Sequence, residues 1–334
     1  MSHRAPRTAL TLLIALLALA ATAPARAAAA TPALGWQYGP MGLSSAGSPP
    51  VGAPVIVAVL DTGVDLTHPD LAGAGWTNPG EIGGNGIDDD RDGFVDDVHG
   101  WDFVAGDADP ADRNGHGTHV AGVIAGRGNA AYGAWGVDRR ALVMPVRVLD
   151  ARARGTAARV ARGLRFAVAH GARVVNLSLA TPFASRTLRR ALDAARRAGV
   201  LVVAAAGNWG ENLARDPAYP AVLPDVLAVA ATGPSGSLWA GSNYGAPVAL
   251  AAPGEDIVAP ALGGGYELRT GTSTAAPEVS GAAALVAAQH PEMRAGALRR
   301  ALVDSARRGR LRVGGGALDV AGALASANRR SRSG

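Results

Sequence analysis

The 334-residue chain contains no cysteine and no lysine. Without thiols no disulfide can staple it, so stability must come from packing and from any bound ion. Without lysine, all 32 basic residues are arginine. The formal charge of +5 overstates the basic character. Arg4, Arg7 and Arg26 lie in a leader-like segment that carries no acidic residue, which leaves 29 Arg against 27 Asp plus Glu, a net of +2, beyond Ala27. Those arginines are spread over several helix-like faces and form no single patch, so no nucleic-acid partner is expected. After Ala27 no uncharged apolar run approaches the ~20 residues of a membrane span. The mature form is therefore expected to have no membrane partner.

What is present is 48% apolar residues and 45 glycines, the mark of a globular, turn-rich chain. Arg4 and Arg7, the apolar stretch 9–23 and the run Ala25-Arg26-Ala27 have the layout of a signal peptide. Four segments follow from this: a signal peptide over 1–27, an irregular lead-in over 28–54, one domain over 55–325, and a disordered tail over 326–334. Only 27 residues lie between Ala27 and Val55, so folding without a long propeptide is expected. A secreted (extracellular or periplasmic) monomer is expected.

Within the domain, short β-branched runs alternate with amphipathic or small-residue stretches. Strands are predicted over 55–60, 141–149, 174–179, 201–206 and 226–230. Helices are predicted over 118–125, 157–170, 188–198, 280–290 and 295–305. This alternation predicts an α/β fold, a three-layer α/β/α arrangement with a mainly parallel central sheet.

Between Glu81 and Asp112 lie eleven acidic residues and one basic residue, Arg91. The spacing Asp88-x-Asp90-x-Asp92-Gly93 matches the first half of a calcium loop, with His99 at the twelfth position in place of Glu. Asp96 or Asp97 would have to close such a site. The plain alternative is a loop whose carboxylates water screens. A second acidic group, Asp107, Asp109 and Asp112, precedes His116.

Four polar signals sit at strand ends or helix starts: Asp61, His116, Asn208 and Ser273. Singly, each is an ordinary cap or turn residue. Together they supply what serine catalysis needs. A serine hydroxyl requires a nearby base, the base requires an orienting carboxylate, and the oxyanion requires donors. The order Asp…His…Ser distinguishes one of the three known triad arrangements.

Residues 57–65 (VAVLDTGVD), 114–122 (NGHGTHVAG), 204–208 (AAAGN) and 271–277 (GTSTAAP) closely resemble the motifs of the subtilisin-like serine proteases. The likeness covers about residues 36–325. It implies a subtilisin-like fold, a triad of Asp61, His116 and Ser273, and Asn208 as oxyanion donor. It implies a polypeptide substrate bound in extended form along Ser178, Leu179 and Ala180, with Ala206, Gly207 and Ala218 around the first pocket. It also implies structural Ca2+ and no cofactor for catalysis, with Asp70 and Asn129 resembling part of a family calcium site beside Asp88, Asp90, Asp92 and Asp97 and beside Asp107, Asp109 and Asp112. A small Ala218 suggests a roomy apolar pocket.

The chain departs from the pattern at Thr274, where the family usually has Met, and at Glu278, where it usually has His. Ala180 and Thr181 replace common glycines. A buried Glu278 must find a partner, be protonated or reach solvent. Two other readings remain: an inactive binding or scaffold protein, and a maturation protease with one dedicated substrate.

Overall fold

The computed structural model describes residues 13–15, 35–43, 52–128 and 134–331. Ten strands build the central sheet and one hairpin: β1 (Ile56–Asp61), β2 (Trp101–Asp102), β3 (Leu142–Arg147), β4 (Val174–Leu177), β5 (Leu201–Ala205), β6 (Val226–Thr232), β7 (Leu250–Pro253), β8 (Ile257–Pro260), β9 (Tyr266–Arg269) and β10 (Gly316–Ala317). Six helices accompany them: α1 (His116–Ala125), α2 (Ala157–Ala169), α3 (Arg186–Ala198), α4 (Thr272–Gln289), α5 (Ala295–Asp304) and α6 (Val320–Ser331). The central sheet has eight strands in the order β10-β7-β6-β5-β4-β1-β3-β2. Every neighbouring pair in it is parallel.

A parallel strand buried on both faces must be apolar on both, and β1 shows how. Val57 and Val59 join the core under α1 and α4, while Ala58 and Leu60 join the core under α2 and α3. β5 divides in the same way, Val203 to one side and Val202 and Ala204 to the other. Helix α4 packs across β4, β5, β6 and β7. It is buried nearly all round because α1, α5 and α6 cover its other sides. The expected three layers are present.

After β1 the chain crosses to β3 on one side and later to β4 on the other. The strand order therefore reverses between β1 and β4, and such a point opens a ligand crevice outside the carboxyl ends of the strands. Asp61 is the last residue of β1. Helix α1 starts beside it because residue 117 is glycine: a Cβ there would lie 2.0 Å from the Gly63 carbonyl oxygen.

Several elements differ from the sequence expectation. Helix α4 begins eight residues before the predicted start, at Thr272, because the polar motif 271–274 is itself the first turn. Helix α6 runs to Ser331, so most of the expected tail 326–334 is helical, with Val320, Ala323 and Ala327 buried. Strands β2, β7 and β10 and the hairpin β8–β9 were too short or too uniformly small to stand out. Residues 13–15, inside the signal-like segment, pair with 154–156; the rest of 1–27, and 28–34 and 44–51 of the lead-in, lie outside the described residues.

Glu278 sits in the middle of α4 and is 1% exposed, with neither carboxylate oxygen hydrogen-bonded among the described residues. Burial pushes its pKa well above the usual carboxylate range, so the folded protein carries it as the neutral acid. Its native form keeps a proton that the unfolded chain releases above about pH 4.3, so its contribution is full below that pH and is lost as pH rises toward the native pKa. Glu278→Gln removes this loss. Its stability advantage over wild type should grow between pH 5 and pH 8 by up to about 1.4 kcal/mol per pH unit, read by urea unfolding. A pH-independent difference would show that Glu278 is not a neutral buried acid.

Candidate active site

Asp61 is fully buried, and its Oδ1 accepts from His116 Nδ1 at 2.8 Å and from the Thr62 N–H at 2.7 Å. With Nδ1 so engaged, His116 Nε2 is buried and has no hydrogen-bond partner among the described residues. The imidazole is thus set with one nitrogen on a carboxylate and the other free to take a proton. His119, three residues on in the same motif, does the opposite. Its Nε2 donates to the Ile257 carbonyl (3.0 Å), and burial holds its pKa down to about 3. It stays neutral and ties α1 to the β8–β9 hairpin.

The start of α1 is held by Asp112. Its Oδ1 accepts from Thr62 Oγ1 (2.8 Å) and the backbone N–H groups of Asn114 (2.9 Å) and Gly115 (3.0 Å). Its Oδ2 accepts from the Thr118 N–H (2.9 Å) and hydroxyl (2.7 Å). Thr62 Oγ1 in turn accepts from the Gly117 N–H at 3.0 Å. At the helix start the Thr118 N–H is thus satisfied by Asp112, the Gly117 N–H by Thr62 and the His116 N–H by Asn114 Oδ1 (3.2 Å), and the Asp112 carboxylate locks Asp61's neighbour to His116's neighbour. Arg147, in a buried ion pair with Asp102, donates to the Thr62 carbonyl from the other side.

Ser273 is the second residue of α4. Thr272 before it donates from its N–H (2.9 Å) and its hydroxyl (2.8 Å) to Asn208 Oδ1, and its hydroxyl accepts from the Gly207 N–H (3.0 Å). Asn208 is therefore held by its carbonyl, which leaves its NH2 group outward. A Cβ on Gly271 would lie 3.1 Å from Asn208 Nδ2 and 3.2 Å from Ser273 Oγ. The space that glycine leaves is bordered by the hydroxyl and the amide together. Asn243 fixes the rest of the loop, accepting from the Trp209 and Glu211 N–H groups and donating to the Ala206 carbonyl.

Pro277 lies inside α4. A proline there cannot donate to the carbonyl four residues back, which is that of Ser273. Ser178 Oγ donates to that carbonyl at 2.8 Å. Ser178 accepts from Asn176 Nδ2 (2.9 Å), whose Oδ1 accepts from Ser280 Oγ (2.9 Å). The family resemblance places the segment at Ser178 along an extended substrate; its side chain is buried and turned to the Ser273 carbonyl. Thr274, in the usual Met position, shares its one hydroxyl proton between the Gly271 and Gly254 carbonyls, 2.8 and 2.9 Å away.

Leu179, Ala206 and Ala218 are buried, and Ala180 is half-buried. β4 ends at Leu177, and farther along the chain Thr181 exchanges two backbone hydrogen bonds with Tyr219 (2.9 and 2.7 Å). That bridge brings Ala218 to the end of the segment 178–181. Trp209 and Phe183 stand exposed beside these two loops.

The expected metal residues divide. Asp107, Asp109 and Asp112 form no cluster of metal-ligand geometry among the described residues: Asp112 caps α1, Asp109 pairs with Arg113 (3.1 Å), and Asp107 accepts from the Asp109 N–H. Asp88 accepts from the Asp92 and Gly93 N–H groups inside its own turn. Asp90, Asp92 and Asp97 do come together, in two groups: Glu81 with Asp90 and Asp97, and Asp90 with Asp92 and His170. Glu81 and His170 were missed, because they lie 7 residues before and 78 residues after the Asp88–Asp92 motif. Asp70 is buried, with Oδ1 accepting from the Gly128 N–H (2.6 Å) and Oδ2 unpartnered among the described residues. Asn129 lies outside the described residues.

Ser178→Ala should leave the Ser273 carbonyl buried and unpaired, at a cost of about 1–3 kcal/mol in stability. Because that carbonyl belongs to the residue bearing the hydroxyl, reactivity of Ser273 should fall more than ligand affinity. Unchanged unfolding and unchanged reactivity would remove Ser178 from the positioning of Ser273.

A family model described as the subtilase family matches residues 52–327. The chain is 37% identical over 255 residues to thermitase of Thermoactinomyces vulgaris, covering 76% of this chain and 82% of that one. It is 41% identical over 240 residues to subtilisin BL of Lederbergia lenta (72% and 78%). It is 41% identical over 233 residues to a thermophilic serine proteinase of Bacillus sp. strain AK1, covering 70% of this chain and about half, 52%, of that one. A solved cold-adapted subtilisin-like serine proteinase superposes with a TM-score of 0.67 at 31% identity (80% and 88%). A solved protease of Pseudoalteromonas arctica superposes at 0.73 and 29% (88% and 97%). On these matches, and with a mostly parallel eight-stranded sheet of the kind they imply, the chain belongs to the subtilase family of serine endopeptidases.

Proposed function

We propose that the chain is a secreted endopeptidase that cleaves peptide bonds through Ser273, His116 and Asp61, with an acyl-enzyme intermediate. The observation that carries this reading is the 2.8 Å contact between His116 Nδ1 and Asp61 Oδ1, which leaves Nε2 buried and free.

In the first step His116 Nε2 takes the Ser273 hydroxyl proton while Ser273 Oγ bonds to the substrate carbonyl carbon. Asp61 stays ionised and stabilises the imidazolium. The oxyanion is met by Asn208 Nδ2 and by the backbone N–H of Ser273, at the positive end of α4. The C–N bond then breaks as His116 returns the proton to the leaving amine. Water repeats the sequence and releases the acid. An extended polypeptide along residues 178–180 would gain backbone pairing as an added strand. Its side chain before the cleaved bond would enter the space near Ala218. Export rests on the leader-like segment 1–27; among the described residues no helix is long and apolar enough to cross a membrane.

Structural Ca2+ fits two places on donor chemistry. Asp70 offers a buried carboxylate oxygen with no partner among the described residues, its other oxygen accepting from the Gly128 N–H. Glu81, Asp90 and Asp97 offer three carboxylates with ligand atoms within 4.8 Å of one another. Hard oxygen donors of this kind suit Ca2+. Its contribution would be to hold these loops and to neutralise them; the chemistry at Ser273 does not pass through it.

A fluorophosphonate probe should label the wild type and not Ser273→Ala. Asn208→Ala should still be labelled but should lose about 100- to 1,000-fold in kcat on a peptide substrate. Absence of label on a folded wild type, or a label that survives Ser273→Ala, would sink the assignment.

A further inference from the structure

The substrate path proposed above accounts for one side of Ser273. Residues 178–180 lead into α3, which lies in the layer that covers Ala58 and Leu60 of β1. An extended chain laid along them has to leave Ser273 on the other side, over the starts of α1 and α4, the layer that covers Val57 and Val59. The β8–β9 hairpin stands there. His119 of α1 holds the Ile257 carbonyl (3.0 Å), and His68 Nε2 lies 2.9 Å from the Gly265 carbonyl oxygen. Tyr266 meets the His68 ring edge-on at 5.4 Å, and a Cβ on Gly122 of α1 would lie 2.2 Å from Pro260 Cδ. The hairpin is therefore fastened along α1 and to the loop after β1.

Arg269 ends β9, four residues before Ser273. A Cβ on Gly115, the residue before His116, would lie 3.2 Å from Arg269 Nη2, 3.6 Å from Leu262 Cβ and 3.8 Å from Glu267 Oε1. The guanidinium thus stands against the helix start that carries the imidazole. Its side chain is 26% exposed, so it is neither sealed in the core nor free in solvent. Arg269 Nε donates to Glu267 Oε1 at 2.7 Å, and its terminal NH2 groups make no hydrogen bond among the described residues. That single bond fixes the plane of the guanidinium and leaves its outer donors available. Glu267 offsets part of the charge, so recognition here depends on the fork of N–H groups, which matches a carboxylate with two parallel bonds.

We infer that Arg269 is a specificity-determining residue for the leaving half of the substrate, and that it takes an acidic side chain one or two residues after the cleaved bond. Side chains of an extended chain alternate between two faces, so one of those two positions turns toward the guanidinium and the other away from it. The acyl half meets a different surface, since Ser178, Leu179, Ala180 and Ala218 carry no charge. Selection by charge therefore falls on the product that leaves first. The inference rests on the peptidase reading of Ser273 and adds to it which peptides are cut.

Acyl transfer to added amines tests this, because an amine that captures the acyl group occupies only the leaving side. An activated ester acylates Ser273 in the presence of the dipeptide amides Asp-Ala, Ala-Asp, Leu-Ala and Ala-Leu, and of Ala-Ala with a free carboxyl terminus. Each gives a ratio of peptide product to hydrolysis that does not depend on the active fraction of the enzyme. One of the two acidic amides is expected to capture the acyl group about three- to tenfold better than its leucine counterpart. Arg269→Gln should remove that advantage. Glu267→Gln, which releases the guanidinium from its own carboxylate, should enlarge it. No advantage for either acidic amide, an advantage that survives Arg269→Gln, or capture favoured only by the free carboxyl terminus would overturn the inference and leave the acyl-enzyme standing. Failure of Ser273 to acylate, seen as a missing burst before any amine is added, would overturn the peptidase reading and the inference with it.

Discussion

The 2.8 Å hydrogen bond between His116 and Asp61 survives only if the spacing of a strand end and a helix start is fixed to about a few tenths of an ångström. The rest of the site is arranged around that tolerance. β1 fixes Asp61 because it is buried on both faces and paired on both edges. The start of α1 fixes His116 because Asp112 accepts from the N–H groups of Asn114, Gly115 and Thr118 and reaches Thr62 through the same carboxylate. Glycine at 117 lets the two approach. Acids near a helix start are commonly surface features of modest worth; here the carboxylate is buried, makes five hydrogen bonds and joins two segments of the site.

The same logic holds Ser273. Pro277 deprives its carbonyl of a helical donor, and Ser178 from β4's end supplies one. Thr272 reaches across to Gly207 and Asn208 from β5's end. Three neighbouring strands, β1, β4 and β5, therefore each send a polar segment to the same crevice. That is why the site lies where the strand order reverses and on no single element.

Asp61, His116, Asn208 and Ser273 were legible in the sequence because four reactive residue types, each at an element end and in that order, seldom coincide by chance. Strands such as β1 and β5 were legible because a doubly buried strand must be continuously apolar. Thr62, Asn176, Thr272 and Asn243 were not, since single small polar residues carry no periodicity and the partners that give them a role lie 37 to 104 positions away. Ser178 was legible as part of the segment that resembles a substrate strand, but its bond to the Ser273 carbonyl was not, because a resemblance along a strand does not say which way a side chain faces. The acidic loop was half legible. Its Asp spacing is local, but His170 reaches it only after α2 has folded back across the sheet. The unpartnered carboxyl of Glu278 could be flagged as a problem from sequence, and only burial decided that it is carried as the neutral acid.

Ser273, activated through His116 and Asp61, should form a covalent acyl intermediate, and everything said of the site turns on that step. Mixing the enzyme with a slowly deacylating activated ester, quenching within the first turnover and mapping the adduct by peptide mass tests it directly. A burst of about one leaving group per enzyme, with the acyl group on Ser273 and no burst in Asp61→Asn, is the result predicted. A folded enzyme that shows no burst, or one whose acyl group maps to another residue, would contradict it.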